Sequence, residues 1–97
     1  MGQVFIKELI LNFLISQKKN NIKEFIIDNI PENINNHKLK SFSKIDGIKL
    51  RIDKNFWLLF RFSGTEPLLR LYCEAPNESY LDELLEWGHA FINLAGK

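Results

Sequence analysis

An α+β domain, a small antiparallel sheet with helices packed on one face, is the fold class this sequence predicts, and three observations predict it. Residues 48–52 and 69–75 alternate apolar and polar side chains with the period of two that half-buried strands require. Between them, Phe56 to Phe62 is a nearly unbroken run of aromatic and aliphatic residues, the composition of a central strand. After them, Leu81, Leu84, Leu85, Gly88, Ile92 and Ala95 recur at helical spacing.

In chain order, Ile6, Leu9, Ile10, Phe13 and Leu14 fall on one helical stripe and predict a helix from about Val4 to Ser16, ended by Lys18-Lys19-Asn20. Asn21 is the expected cap of a short second helix that carries Ile22, Phe25 and Ile26 on one face, with Glu24 three residues after the cap as in a capping box. Pro31 stops it, because the residue before a proline is pushed out of helical geometry. The Asn- and Lys-rich stretch from Glu32 to Lys40 reads as a loop leading into an extended segment from Leu39 to Ile45.

Following Asp46-Gly47, Ile48, Leu50 and Ile52 alternate with Lys49, Arg51 and Asp53, and Asp53-Lys54-Asn55 supplies a turn into the strand 56–62. Leu69, Leu71, Cys73 and Ala75 alternate with Arg70, Tyr72 and Glu74 to give the next strand. Asn77 or Ser79 starts the final helix, with Trp87 and Phe91 at the edge of its stripe and Gly96 at its close. The sum is a sheet of three or four strands, with Trp57 and Trp87 expected to pack the helix onto it.

The 97 residues fit one compact domain or a piece of a larger protein, and a 45% hydrophobic content is enough for a real core. Thirteen basic and twelve acidic residues leave a net charge of +1, which excludes charge-driven attachment to nucleic acid or to an anionic membrane. Lys38, Lys40, Lys44 and Lys49 are interspersed with acidic and apolar residues, the pattern of a solvated face. Any anion site is therefore local. A single cysteine, Cys73, rules out an internal disulfide and a multi-cysteine zinc site, so a reducing compartment, the cytoplasm, is expected. The apolar stretch Leu9 to Ile15 is far short of the roughly 20 residues a membrane helix needs. His37 and His89 have no base partner or metal-ligand spacing, and Cys73 on an alternating strand reads as a small core residue rather than a nucleophile.

The stretch Arg61-Phe62-Ser63-Gly64-Thr65-Glu66-Pro67-Leu68-Leu69-Arg70 carries the chemistry. Gly64 lets a ligand approach the main chain, Ser63 and Thr65 add hydroxyl donors, and neighbouring N–H groups in such a turn converge as an anion nest. Pro67 stiffens the exit. Arg61 and Arg70 bracket the loop, and the planar guanidinium fork matches a phosphate bidentately. On spacing alone the alternative stands beside this: a tight turn in which Glu66 pairs with Arg61 or Arg70, an exposed ion pair contributing about 0–1 kcal/mol.

Asp46-Gly47-Ile48-Lys49, the run Trp57 to Tyr72 with its Arg-x-Ser-Gly-Thr-Glu-Pro core, and Glu74-Ala75 together resemble the C-terminal, fourth domain of the phosphohexomutases, the phosphoglucomutase/phosphomannomutase superfamily. The resemblance implies a TATA-box-binding-protein-like fold for residues 20–97, with residues 1–19 a helix at the junction with a preceding domain. It implies that Arg61, Ser63, Gly64 and Thr65 bind the non-reacting phosphate of a hexose phosphate, that Arg70 assists, and that Glu66 and Pro67 shape the loop. Phe62 departs from the proline most often found at its position, which leaves every donor of the loop in place. For a full enzyme the resemblance further implies a Mg2+ ion, a hexose 1,6-bisphosphate activator and three partner domains, with glucose, mannose or glucosamine phosphate as substrate. No catalytic residue and no metal ligand are expected here, so the domain alone is expected to be inactive. A stand-alone anion-binding module is the reading from another functional class.

Overall fold

The computed structural model describes residues 5–12, 17–45, 47–62 and 68–95. They form a five-stranded antiparallel sheet, larger than the three or four strands expected because residues 5–12 join it, with a two-stranded ribbon and two helices, an α+β domain as the alternation predicts. The strands are β1 (Phe5–Asn12), β4 (Ser41–Ser43), β5 (Ile48–Asp53), β6 (Phe56–Phe62) and β7 (Leu68–Ala75), in the spatial order β1-β7-β6-β5-β4. The ribbon pairs β2 (Asn33–Ile34) with β3 (His37–Lys38), and the helices are α1 (Gln17–Asp28) and α2 (Glu78–Ala95).

The alternating segments behave as their period dictates. Ile48, Leu50 and Ile52 of β5, Phe56, Leu58 and Phe60 of β6, and Leu69, Leu71, Cys73 and Ala75 of β7 are all buried on one face of the sheet. Helix α2 lies across that face, and its Leu81, Leu84, Phe91 and Ile92 complete the core. Asn77 caps it, its Oδ1 accepting a hydrogen bond from the Tyr80 N–H at 2.8 Å. Gly88 sets how close the helix can come, since a Cβ there would meet Leu58 Cδ2 at 3.1 Å and Leu71 Cδ1 at 3.4 Å. Helix α1 packs beside α2, with Phe25 and Phe60 both meeting the ring of Phe91, at centroid distances of 5.2 and 6.1 Å.

Three expectations need correction. Residues 5–12, expected as the helix of a 1–19 junction, are strand β1, paired with β7 over its whole length from Phe5↔Ala75 to Asn12↔Leu68. The apolar residues there are dense enough to satisfy both periods, and what decides is the partner: without β1 the outer backbone groups of β7 would stand unpaired. Residues 13–16 of the expected helix lie outside the described residues. Second, Lys18-Lys19-Asn20 does not end a helix but belongs to α1, which begins at Gln17, so Asn21 is interior rather than a cap. Polar residues suit a first helical turn as well as a linker.

Third, Trp57 does not pack α2 onto the sheet. It lies on the opposite face, under the ammonium of Lys49 at 4.3 Å, with its Nε1–H donating to Glu74 Oε1 at 2.9 Å. Trp87 is on α2 as expected, stacked on Phe91. The stretch expected as a polar loop also holds more order than its composition suggests, because Asn35, with φ at 55°, turns β2 back onto β3 and sends Ile34 fully into the core. The Gly96 position expected to close α2 lies outside the described residues.

Candidate anion-binding corner

One face of the sheet is covered by α2 and the other carries the polar set of each strand. On that open face the register aligns Ile6, Glu74, Trp57, Arg51 and Ser41 in one row, and Glu8, Tyr72, Leu59, Lys49 and Ser43 in the next. A third row places Arg70 and Arg61 directly opposite one another, one residue pair before the β6–β7 ladder ends at Phe62↔Leu69. Side chains so opposed have Cβ atoms about 5 Å apart, and like charges there destabilise a sheet. Two arginines in that position repel one another, a cost to folding that a bound anion would offset.

The two are not equivalent. Arg70 Nη1 lies 3.7 Å from Glu8 Oε2, both groups partly exposed, so part of its charge is offset from the neighbouring strand. Arg61 is exposed and makes no ion pair with any described residue. It is therefore the cation of the pair with its donors open to a ligand. Ser63, Gly64, Thr65, Glu66 and Pro67, the remaining residues expected at this site, lie outside the described residues; they connect β6 to β7 immediately beyond the arginine pair.

Gly47 belongs to this corner too. Its φ is +117°, and a Cβ on it would sit 2.3 Å from the carbonyl oxygen of Phe60 and 3.2 Å from Arg61 Cα. Glycine is therefore required both by conformation and by space. It allows the start of β5 to press against the backbone that carries Arg61, which fixes the root of that arginine. Glu8 escaped notice for a different reason, since a helical reading of residues 4–16 hides its position beside Arg70.

Elsewhere the expected assignments are modest. Cys73 is fully buried and its thiol donates toward the Leu81 carbonyl at 3.9 Å, a core placement. His37 is wedged edge-on between Phe56 and Tyr80, each at 4.8 Å, with Nε2 3.7 Å from Glu83 Oε2, so it tethers the β2–β3 ribbon to α2. His89 is exposed on α2. Asp53, at the β5–β6 turn, accepts the Lys54 N–H at 2.8 Å and the Lys40 ammonium at 3.1 Å. Those contacts, the backbone bond first, hold its carboxyl below the ordinary value of 3.8. Among the described residues no group of three or more His, Cys, Asp or Glu side chains is arranged to hold a metal ion. No described helix is long and apolar enough to cross a membrane.

Residues 15–86 match the model of the phosphoglucomutase/phosphomannomutase C-terminal domain, and the chain belongs to that family. It is similar to a phosphomannomutase of Methanocaldococcus jannaschii, 38% identical over 76 residues that make up 78% of this chain and 15% of the relative. A probable phosphoglucosamine mutase of Pyrococcus horikoshii is 35% identical over 71 residues, 73% of this chain and 15% of that protein. A phosphopentomutase of Thermococcus kodakarensis is 36% identical over 55 residues, 57% of this chain and 12% of that protein. The matched residues thus span only 12–15% of the length of these three relatives.

Proposed function

We propose that this chain is the phosphate-gripping C-terminal domain of a phosphohexomutase, an intramolecular phosphotransferase that interconverts hexose 1-phosphates and 6-phosphates. Arg61, Ser63, Gly64 and Thr65 hold the non-reacting phosphate, Arg70 assists, and Glu66 and Pro67 shape the loop. The observation that carries this reading is the facing of Arg61 and Arg70 at the end of the β6–β7 ladder, with Arg61 unpaired by any described residue. Its grip on a phosphate is electrostatic and bidentate, and each charge-assisted hydrogen bond contributes about 1.5–3 kcal/mol.

A mutase of this kind must present first one and then the other end of a bisphosphate to its reacting group. A site made of hydroxyls, amides and arginine recognises the phosphate and tolerates either face of the sugar. The relatives are named for mannose, glucosamine and pentose phosphates, which supports a grip indifferent to the sugar and keeps a phosphoglucosamine mutase close beside the hexose reading. Remote binding energy of this sort also closes a cleft and excludes water during phosphoryl transfer. In this reading the Mg2+ ion and the hexose 1,6-bisphosphate activator belong to the other domains of the enzyme, and this domain alone is inactive.

Titration calorimetry at fixed ionic strength tests the assignment. Glucose 6-phosphate is expected to bind the chain and glucose is not, and Arg61→Ala is expected to weaken binding about tenfold or more. Equal affinity in the variant would make Arg61 a bystander and leave the corner a plain turn.

A further inference from the structure

The open face has a second pair of cations, away from the corner. Lys49 and Arg51 stand two residues apart on β5, and their Cα partners on the edge strand β4 are Ser43 and Ser41. Paired residues on neighbouring strands share a face, so two hydroxyls and two cations are presented together. With the strand of Phe42 between the serines, these residues line a notch of about 210 Å³ that has no carboxylate among its described lining residues. At about 30 Å³ for each liquid water, that is room for a phosphoryl group and the first atoms of whatever carries it.

The nearby carboxylates are engaged elsewhere. Asp53 is held by Lys40 and by the Lys54 N–H, Glu74 accepts the Trp57 indole, and Glu8 faces Arg70. Neither Lys49 nor Arg51 makes an ion pair with a described residue, and side chains two apart on a strand lie only about 7 Å from each other. Asp53, two residues beyond Arg51 on β5, offsets part of the Arg51 charge from a distance while bound to Lys40 and the Lys54 N–H. The donors are also held in place: the Lys49 ammonium rests on the Trp57 ring at 4.3 Å, and Ser43 Oγ accepts the Ile45 N–H at 3.4 Å, which leaves its own hydroxyl proton to donate. A guanidinium, an ammonium and two hydroxyls approaching from two strands suit a tetrahedral oxyanion with acceptors on several sides better than a planar carboxylate.

We propose that the notch formed by Ser41, Ser43, Lys49 and Arg51 is a phosphoryl-binding site, separate from the Arg61 corner and on the same face of the sheet. Its ligand is inorganic phosphate or a phosphate monoester. The site uses none of the corner's residues, so it stands or falls independently of the function proposed above.

The test is a set of amide spectra of the 97-residue chain during addition of sodium phosphate, with ionic strength held constant by sodium chloride. Saturating shifts are expected at Ser41, Ser43, Lys49 and Arg51, persisting in Arg61→Ala and weakened about tenfold or more in the double variant Lys49→Gln/Arg51→Gln. Ser41→Ala/Ser43→Ala keeps both charges, and a measurable loss of affinity there distinguishes a built site from diffuse attraction. The dispersion of each spectrum reports whether the variant is folded. A parallel series with glucose 6-phosphate separates the sources: tighter binding than phosphate assigns the site to a monoester, and equal or weaker binding assigns it to the free ion. Shifts that do not saturate, that chloride alone reproduces, or that survive the double glutamine variant unchanged would overturn the proposal.

Discussion

Arg61 sits on the surface and Gly47 beneath it, and the two make opposite predictions. Substituting an exposed side chain normally changes stability by no more than about 0.5 kcal/mol, so Arg61→Ala is expected to unfold almost where the parent does while losing its hold on phosphate. Gly47→Ala touches no ligand but forces a Cβ toward the Phe60 carbonyl at a positive φ, and is expected to cost about 2–4 kcal/mol in a chemical denaturation experiment. An unchanged midpoint would show that β5 enters the sheet differently. Asp53 gives the pH test. Its carboxyl titrates lower in the folded chain than in the unfolded one, so its contribution is complete above the unfolded value and is lost as pH falls through the folded one. Asp53→Asn is therefore expected to lower the melting temperature slightly at pH 7 and to converge with the parent as pH falls through the carboxyl's lowered folded-state value; a gap that persisted in acid would mean the charge is not what stabilises the turn.

Among the elements, those legible in the sequence are the ones whose period has a single solution. β5, β7 and α2 each bury one face and expose the other, and Ile48, Leu71 and Leu84 lie where their alternation or stripe puts them. β1 was not legible, because Phe5 to Leu11 is apolar enough to fit a helix or a strand, and the choice is made by the vacant edge of β7, a partner more than fifty residues away. The same long-range contact brings Glu8 to Arg70, so an error in one element conceals a residue of the site. Hydrogen exchange checks the strand directly. In β7, both the amides bonded to β6 and those bonded to β1 are expected to exchange slowly; fast exchange of the second set would restore the helical reading of residues 5–12. The arginine pair itself was legible as a pair of brackets around Ser63 to Pro67, but its facing geometry required the β6–β7 register, which spacing along the chain does not encode.

At the scale of the whole molecule, the sheet divides labour between its faces. One face is sealed by α2 and supplies stability; the other keeps Lys49, Arg51, Arg61 and Arg70 at the surface on a chain whose net charge is only +1. Four cations against Glu8 and Glu74 in the rows of that face give a local attraction for anions without a global field. The central claim is that the end of the β6–β7 ladder grips phosphate, and it is tested most directly by following the amides of Arg61 to Arg70 as glucose 6-phosphate and, separately, glucose are added. Saturating shifts at Arg61, Ser63, Gly64, Thr65 and Arg70 with the phosphorylated sugar alone are the expected result. Identical responses to both sugars, or none to either, would contradict it.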